Sequence, residues 1–238
     1  MQRCRPRAIK PAPPETEPEN LMSPYPLLSA LLTYPDADLL DALPDVRAAL
    51  ERDPGARDAL APLVDHLAQT PLIVLQEAYV ATFDRTPAHS LHLFEHVHGE
   101  SRARGQALVD LLDEYRRFGF EPATNELPDY LPLFVEFLGA IAADGHAADA
   151  RRLLGDAIDV IAALGERLER AQSPYAGAFA VLRALSPVAP QPVAEPPPRT
   201  MDEALERFRP GADGVEPLPG ATSAGIQPIR FHPRHARP

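Results

Sequence analysis

Through the middle of this 238-residue chain, apolar residues recur at intervals of three and four, the spacing that buries one face of an α-helix. Ser23 is placed to cap a short helix through Leu27, Leu28, Leu31 and Leu32, which Tyr34-Pro35 ends. Asp36 opens the next, with Leu39, Leu43, Val46 and Leu50 inward and Asp38, Asp41 and Asp45 outward, until Pro54-Gly55 breaks it. A third helix is expected over about 56–69, after which Thr70-Pro71 caps a fourth through Phe83. In that fourth helix Leu72, Ile73, Val74, Leu75, Tyr79 and Val80 leave so little polar face that it is expected to be central.

Thr86-Pro87 then reads as N-cap and first helical position, and Gly99 as the stop. On the helix between them Leu93, Phe94 and Val97 share an apolar face. His89, His92 and His96 share the opposite one, flanked by Glu95 and Glu100, and His98 falls near the apolar edge. Glu100 or Ser101 starts a further helix through Phe118, with Leu108, Leu111, Leu112 and Tyr115 as its stripe and Gly119 as its end. A loop follows at 120–128. The next helix carries Leu131, Phe134, Val135, Leu138 and Ile141, with Leu133 and Phe137 beside them, and ends at Asp144-Gly145. A long amphipathic segment runs from His146 to Gln172 on Leu154, Ile158, Ile161 and Leu168, and Ser173-Pro174 caps a last helix to Leu185. No stretch alternates as a half-buried strand does. The pattern predicts an all-α domain of about eight or nine helices.

Proline changes this picture only at the ends. Seven of the 29 prolines fall in residues 1–26 and twelve in residues 187–238. Such segments bury too little apolar surface to offset their ordering entropy. The chain therefore divides into a disordered tail at 1–22, a helical domain at 23–186 and a Pro-rich disordered tail at 187–238. Within the second tail, Thr200-Met-Asp-Glu203 has capping-box spacing ahead of Ala204, Leu205 and Phe208, compatible with a short helix that docks transiently.

The formal charge is −11 for the chain. The first tail is +1 and the second is neutral, so the domain between them carries −12. That field disfavours nucleic acid and anionic lipid and favours a basic partner. The one cysteine, Cys4, excludes an internal disulfide or a CxxC motif and suits a reducing compartment. No apolar run approaches the length of a membrane span or a signal core, so the expected location is the cytoplasm, without direct membrane insertion.

Candidate chemistry concentrates between Thr82 and Gly105. Four of eight histidines fall within ten residues there. His92 and His96 have the i, i+4 spacing of zinc helices, but Leu93 stands where a metalloprotease has glutamate, and no cysteine is near. Three readings stay open from these residues: a metal site on His89, His92 and His96, half-exposed helical histidines, or a polar recognition face. No GxxxxGK[ST], no GxGxxG after a strand and no GxSxG is present. The absence of catalytic motifs favours a binding protein over an enzyme.

Four blocks carry a resemblance: Tyr79-Val-Ala-Thr-Phe-Asp-Arg-Thr86, Ser90-Leu-His-Leu-Phe-Glu-His-Val-His-Gly-Glu-Ser101, Arg104-Gly-Gln106 and Glu126-Leu-Pro-Asp-Tyr-Leu-Pro132. They resemble the NarJ family, the assembly chaperones (delta subunits) of respiratory nitrate reductase, over roughly residues 24–186. The resemblance implies a single TorD/NarJ-like helical domain with no catalysis, metal or cofactor of its own. It implies a chaperone of nitrate assimilation that binds the N-terminal segment of the apo catalytic (alpha) subunit. The family holds that subunit back from the membrane while iron–sulfur clusters and the molybdenum cofactor are inserted. Molybdenum cofactor delivery proteins are further candidate partners. The client-binding region it implies comprises Asp84, Arg85, His89, His92, Glu95, His96, His98, Glu100 and Arg104, with Glu126, Pro128 and Asp129 on the opposite wall. The wider group often has Asp-His at the end of that loop; here it is Asp129-Tyr130. A basic, amphipathic segment fits a groove that is apolar at its base and acidic at its rim. The alternative is a metal-dependent enzyme or metal carrier using His89, His92 and His96.

Overall fold

Two aspartates start helices as their chemistry predicts. Asp36 accepts from the Leu39 amide at 2.8 Å and Asp53 from the Ala56 amide at 3.0 Å. Each satisfies an amide that a first helical turn leaves without an intrahelical partner. The computed structural model describes residues 4–6, 24–98, 102–123 and 125–192. In chain order it contains α1 (Tyr25–Leu32), α2 (Ala37–Asp41), α3 (Leu43–Leu50), α4 (Pro54–Gln69) and α5 (Leu72–Tyr79). A π-turn at Val80–Asp84 and a 3-10 turn at Pro87–His89 lead to α6 (Glu95–His98) and α7 (Arg102–Arg117). Then come α8 (Leu131–Ile141), a π-turn at Ala142–His146, α9 (Ala147–Arg170) and α10 (Ala176–Leu185). The domain is all-α.

Several boundaries move, each for a local reason. The α1 N-cap is Pro24, with no side-chain cap; Ser23 lies outside the described residues, as does the capping-box segment from Thr200. The helix expected from Asp36 to Pro54 is two helices broken at Ala42, because Pro44 in the first turn of α3 has no N–H to continue the ladder. Pro54 does not break a helix but begins α4, where its missing N–H costs nothing. Three residues of the expected N-terminal tail, Cys4–Pro6 (β1), pair antiparallel with Phe120–Pro122 (β2), Cys4 opposite Pro122. At the other end, residues past Ser186 lie on α9: the Gln191 amide donates to Asp159 Oδ1 at 2.7 Å, and Pro187 and Val188 cover Gly155.

The expectation that the helix through Phe83 is central is corrected. Leu75, Tyr79 and Phe83 face the core at spacing i, i+4, i+8, but Ile73 is 62% exposed and Val74 45%. The central element is α8, whose Leu131, Phe134, Val135, Phe137, Leu138 and Ile141 are all at 1% exposure or less. α1 packs across it, α9 lies alongside, and α10 folds back on α9 and meets α4. At that last crossing Gly177 faces the Ala59 carbonyl with no room for a Cβ. Gly145, at φ 88° in the left-handed region, separates α8 from α9 as the Asp144-Gly145 signal predicts. By length and composition the run Leu131–Arg170 is apolar enough to cross a membrane, yet half of its most apolar window is packed inside this core.

Candidate functional site

The histidine segment is not the helix its spacing suggests. Thr86 does not cap a helix; its hydroxyl donates to the Ala81 carbonyl at 2.9 Å, and Pro87 starts only a single 3-10 turn. From Ser90 to Phe94 the chain runs against the loop before α8. Leu93 N–H donates to the Asp129 carbonyl at 3.1 Å, Leu131 N–H to the Leu91 carbonyl at 2.8 Å, and His92 and Tyr130 form an antiparallel bridge. The cause is Asp129. Its fully buried carboxylate accepts from the Phe94 amide at 3.0 Å and lies 3.3 Å from His92 Nδ1. A buried carboxylate needs such donors, and these hold the segment out of helical geometry until Glu95. The shared face of His89, His92 and His96 therefore does not form.

The four histidines instead occupy four environments. His96 Nε2 lies 2.8 Å from the Ser90 carbonyl, which only accepts, so Nε2 carries the proton. Its Nδ1 accepts from the Arg167 guanidinium at 3.3 Å, so the ring is neutral. Burial, and then the Arg167 charge, push its pKa down to about 4. Arg167 is itself buried and also donates to the Ala88 carbonyl at 2.9 Å. His89 and His98 are held below the ordinary histidine value by burial, His98 edge-on to Phe94 at 5.8 Å. His92 moves the other way, raised by its hydrogen bond to Asp129, and its side chain remains 27% exposed. With both His96 nitrogens engaged beside a guanidinium, the three-histidine ligand set of the metal reading is not assembled. Among the described residues no three His, Cys, Asp or Glu side chains converge on a common point.

What the bridge does assemble is an aromatic strip. Tyr79 donates its hydroxyl proton to the Leu32 carbonyl at 2.9 Å, so Tyr130 is the donor in the 3.0 Å contact between the two hydroxyls. Tyr34 stands edge-on to Tyr79 at 5.5 Å, Phe83 and Tyr175 pack behind, and His92 lies 5.4 Å from Tyr130. Burial raises the Tyr130 pKa to about 12 and lifts Tyr79 and Tyr175 as well, so all three stay protonated donors. Tyr34 and Leu127 remain 46% and 39% exposed along this strip. Asp84 and Glu126 both act electrostatically on Tyr130, and Glu95 acts on His92. Three carboxylates, Asp84, Glu126 and Glu95, therefore lie within electrostatic reach of these rings.

Of the residues singled out in the sequence, His92 packs on Tyr130, Asp84 and Glu126 act on Tyr130 through their charge, and Glu95 acts on His92. Arg104 joins them through a 3.0 Å ion pair with Glu95. Arg85 is exposed beside Asp84. Asp129 and Pro128 are not rim residues: both are buried supports, and the Pro128 carbonyl accepts from Tyr115 at 2.7 Å. His96 is held between the Ser90 carbonyl and Arg167, His89 buries an Nδ1 that has no hydrogen-bond partner among the described residues, and His98 packs on Phe94. Glu100 lies outside the described residues. Tyr34, Tyr79 and Arg167 were not singled out for the site. The available signal was tyrosine itself, whose apolar ring and polar tip suit half-wet surfaces.

Residues 50–181 match the family model for the nitrate reductase delta subunit. NarW of Escherichia coli (strain K12), described as a probable nitrate reductase molybdenum cofactor assembly chaperone, is 38% identical over 160 residues, 67% of this chain and 66% of that protein. NarJ of the same organism, described as a nitrate reductase molybdenum cofactor assembly chaperone, is 38% identical over 164 residues, 67% of this chain and 68% of that protein. The chain spans about two thirds of the length of these curated relatives. A crystal structure described as that of a putative redox enzyme maturation protein from Archaeoglobus fulgidus superposes with a TM-score of 0.52 at 21% identity. It covers 71% of this chain and 95% of that one, a likeness of fold. The chain belongs to the nitrate reductase delta subunit family.

Proposed function

We propose that this chain is a system-specific assembly chaperone of a nitrate reductase, without catalysis of its own. It binds the N-terminal segment of the apo catalytic subunit in the cytoplasm while molybdenum cofactor and iron–sulfur clusters are inserted, with cofactor delivery proteins as transient partners. Family membership and the relatives' descriptions support the chaperone role. The observation that carries the binding mode is the strip of Tyr34, Tyr130, His92 and Leu127 edged by Asp84, Glu126 and Glu95. A basic amphipathic segment offers apolar residues for the rings and cations for the rim, on a domain at −12 that draws it in.

The test is titration calorimetry of the full chain with a peptide copying the N-terminal segment of the cognate catalytic subunit. One-to-one binding that weakens with salt, without vanishing, is expected: charge is screened beyond about 8 Å at physiological ionic strength while the apolar contacts persist. Absence of binding at any salt or pH rejects the proposal.

A further inference from the structure

Away from the aromatic strip, α9 and α10 leave an open groove of about 400 Å³ along their outer seam. Its exposed apolar surface is Ala180 and Ala184, whose short side chains leave the trough open above the buried Ala162, Gly165 and Phe179. Its rim carries three exposed charges: Glu166 and Glu169 on α9, and Arg183 on α10. None of the three forms a side-chain ion pair among the described residues. An apolar trough with charges of both signs on its edges and nothing opposite them is shaped for a short amphipathic helix.

The course of the chain points to the occupant. After α10 the backbone passes Gly155, where Val188 and Pro187 pack, and then turns so that the Gln191 amide reaches Asp159. Between those two contacts it advances along α9 toward Ala162, the start of the groove. The next helical signal in the sequence is Thr200-Met-Asp-Glu-Ala-Leu-Glu-Arg-Phe-Arg209, which lies outside the described residues. At about 100° per residue, Met201, Ala204, Leu205 and Phe208 share one face. Arg207 flanks it on one side, Asp202 and Arg209 on the other, and Glu203 and Glu206 point away. From Gln191 the groove's midpoint at Glu166 is about 10 Å further along α9. The nine residues from Pro192 to Thr200 reach about 28 Å even as a polyproline-type spacer.

We propose that residues 200–209 of this same chain dock as a helix in the α9–α10 groove. Met201, Leu205 and Phe208 lie over the exposed Ala180 and Ala184, above the buried Phe179, Arg207 faces Glu166 and Glu169, and Asp202 faces Arg183. A tethered segment competes at an effective concentration in the millimolar range, so modest affinity suffices to keep the groove filled. This gives the Pro-rich end of the chain a seat on the domain, separate from the aromatic strip and independent of its ligand.

The experiment is paramagnetic broadening in the full chain. Cys4→Ser removes the natural thiol, and Gly211→Cys carries a nitroxide just beyond the segment. Broadening of backbone amides at 162–169 and 179–184 is expected, and Leu205→Asp with Phe208→Asp abolishes it while leaving the other amide shifts unchanged. Glu166→Lys with Glu169→Lys lowers the docked-to-free ratio roughly two- to five-fold, as loss of an exposed ion pair does. Broadening that is absent, that centres on Tyr34 and Tyr130, or that survives the double Asp change overturns the proposal. So does broadening seen only between spin-labelled and isotope-labelled chains mixed together, which assigns the groove to a second copy.

Discussion

The Arg167 guanidinium donates to the His96 Nδ1 at 3.3 Å across 71 residues of sequence, which makes His96 a histidine that folding requires to be neutral. Its pKa in the folded chain is about 4, against an ordinary value near 6.5. Between those values the unfolded chain binds a proton that the folded chain does not, so this group erodes stability as pH falls from about 6.5 to 4. The loss approaches a size on the order of 3 kcal/mol at the acid end. Gln in place of His96 offers a donor to Ser90 and an acceptor to Arg167 but does not titrate. Chemical denaturation of His96→Gln is expected to show near-unchanged stability at pH 7 and a flatter decline toward pH 4. An equally steep decline would assign the acid sensitivity to other groups.

Asp129 holds the segment from Leu91 to Phe94 in place through one carboxylate and one carbonyl. Asp129→Ala strands the Phe94 amide in a buried site, at roughly 2–4 kcal/mol. Hydrogen exchange is expected to quicken first at Leu93 and Phe94, before the α8 and α9 amides. The same pair has the opposite pH sense to His96. His92 has a raised pKa, so its contribution is complete below the ordinary histidine value and fades as pH rises through the raised one. Asp129→Asn should remove that alkaline loss.

What the sequence allowed to be read, and what it did not, follows from where the deciding partner sits. α8 and α9 are legible because their apolar residues repeat over many turns and a helix satisfies its own backbone. The run Leu91-His92-Leu93 fits a helical stripe as well as an in-out-in alternation. The alternation is what folds, with Leu91 and Leu93 at 3% and 2% exposure, and it is decided by Asp129, far along the chain. Asp129 itself looked like a rim acid because a loop acid usually faces water. Its burial depends on amides that no local pattern places beside it. α5 misled for a related reason. Apolar composition says that surface needs covering but not which part finds a neighbour, and Ile73 and Val74 find none among the described helices.

Gly177 offers a test of the packing alone. A methyl group there has no clearance from the Ala59 carbonyl on α4, and backbone yields less readily than a flexible side chain. Gly177→Ala gains helix propensity of up to about 1 kcal/mol but forces α10 off α4, at roughly 1–3 kcal/mol. Net destabilisation is expected, read as a melting point lower by a few degrees. Gly105→Ala on α7 has nothing within 4 Å of the new methyl and is expected to leave the melting point level or raise it.

The domain boundary is open to a direct measurement. A fragment over residues 23–192 keeps the Gln191–Asp159 bond and the cover of Val188 and Pro187 over Gly155. One over 23–186 loses them, but Val188 is 50% exposed, so the loss is at most about 1 kcal/mol. Both fragments are expected to fold, with melting points within about 4 °C of each other. A larger gap would place the end of the folding unit beyond Ser186, and loss of helical signal in both would tie one of the tails to the core.

The final prediction addresses the aromatic strip through its ligand. If a basic peptide binds over Tyr130, Asp84→Lys and Glu126→Lys should each weaken it several-fold, the cost of turning a rim attraction into a repulsion. The same reversal at the exposed acids Asp38 and Asp41 of α2 should matter less, because only the diffuse field of the domain changes. Tyr34→Ala removes an exposed ring and is expected to cost roughly 1–2 kcal/mol of binding, as truncation of an interface aromatic commonly does. Asp129→Lys is not an equivalent test, since it unfolds the wall rather than recharging it. The pH dependence separates this reading from a general charge effect. His96 stays neutral down to about pH 4, while His92 stands at the strip with a raised pKa. Lowering pH through the raised His92 value therefore places one positive charge where the peptide must approach, and affinity should fall through a single histidine titration. His92→Asn keeps a donor toward Asp129 but cannot charge, so its affinity should not show that fall. A pH dependence unchanged by His92→Asn, together with equal losses at all four acids, would leave the attraction spread over the whole domain and remove the strip as the binding site.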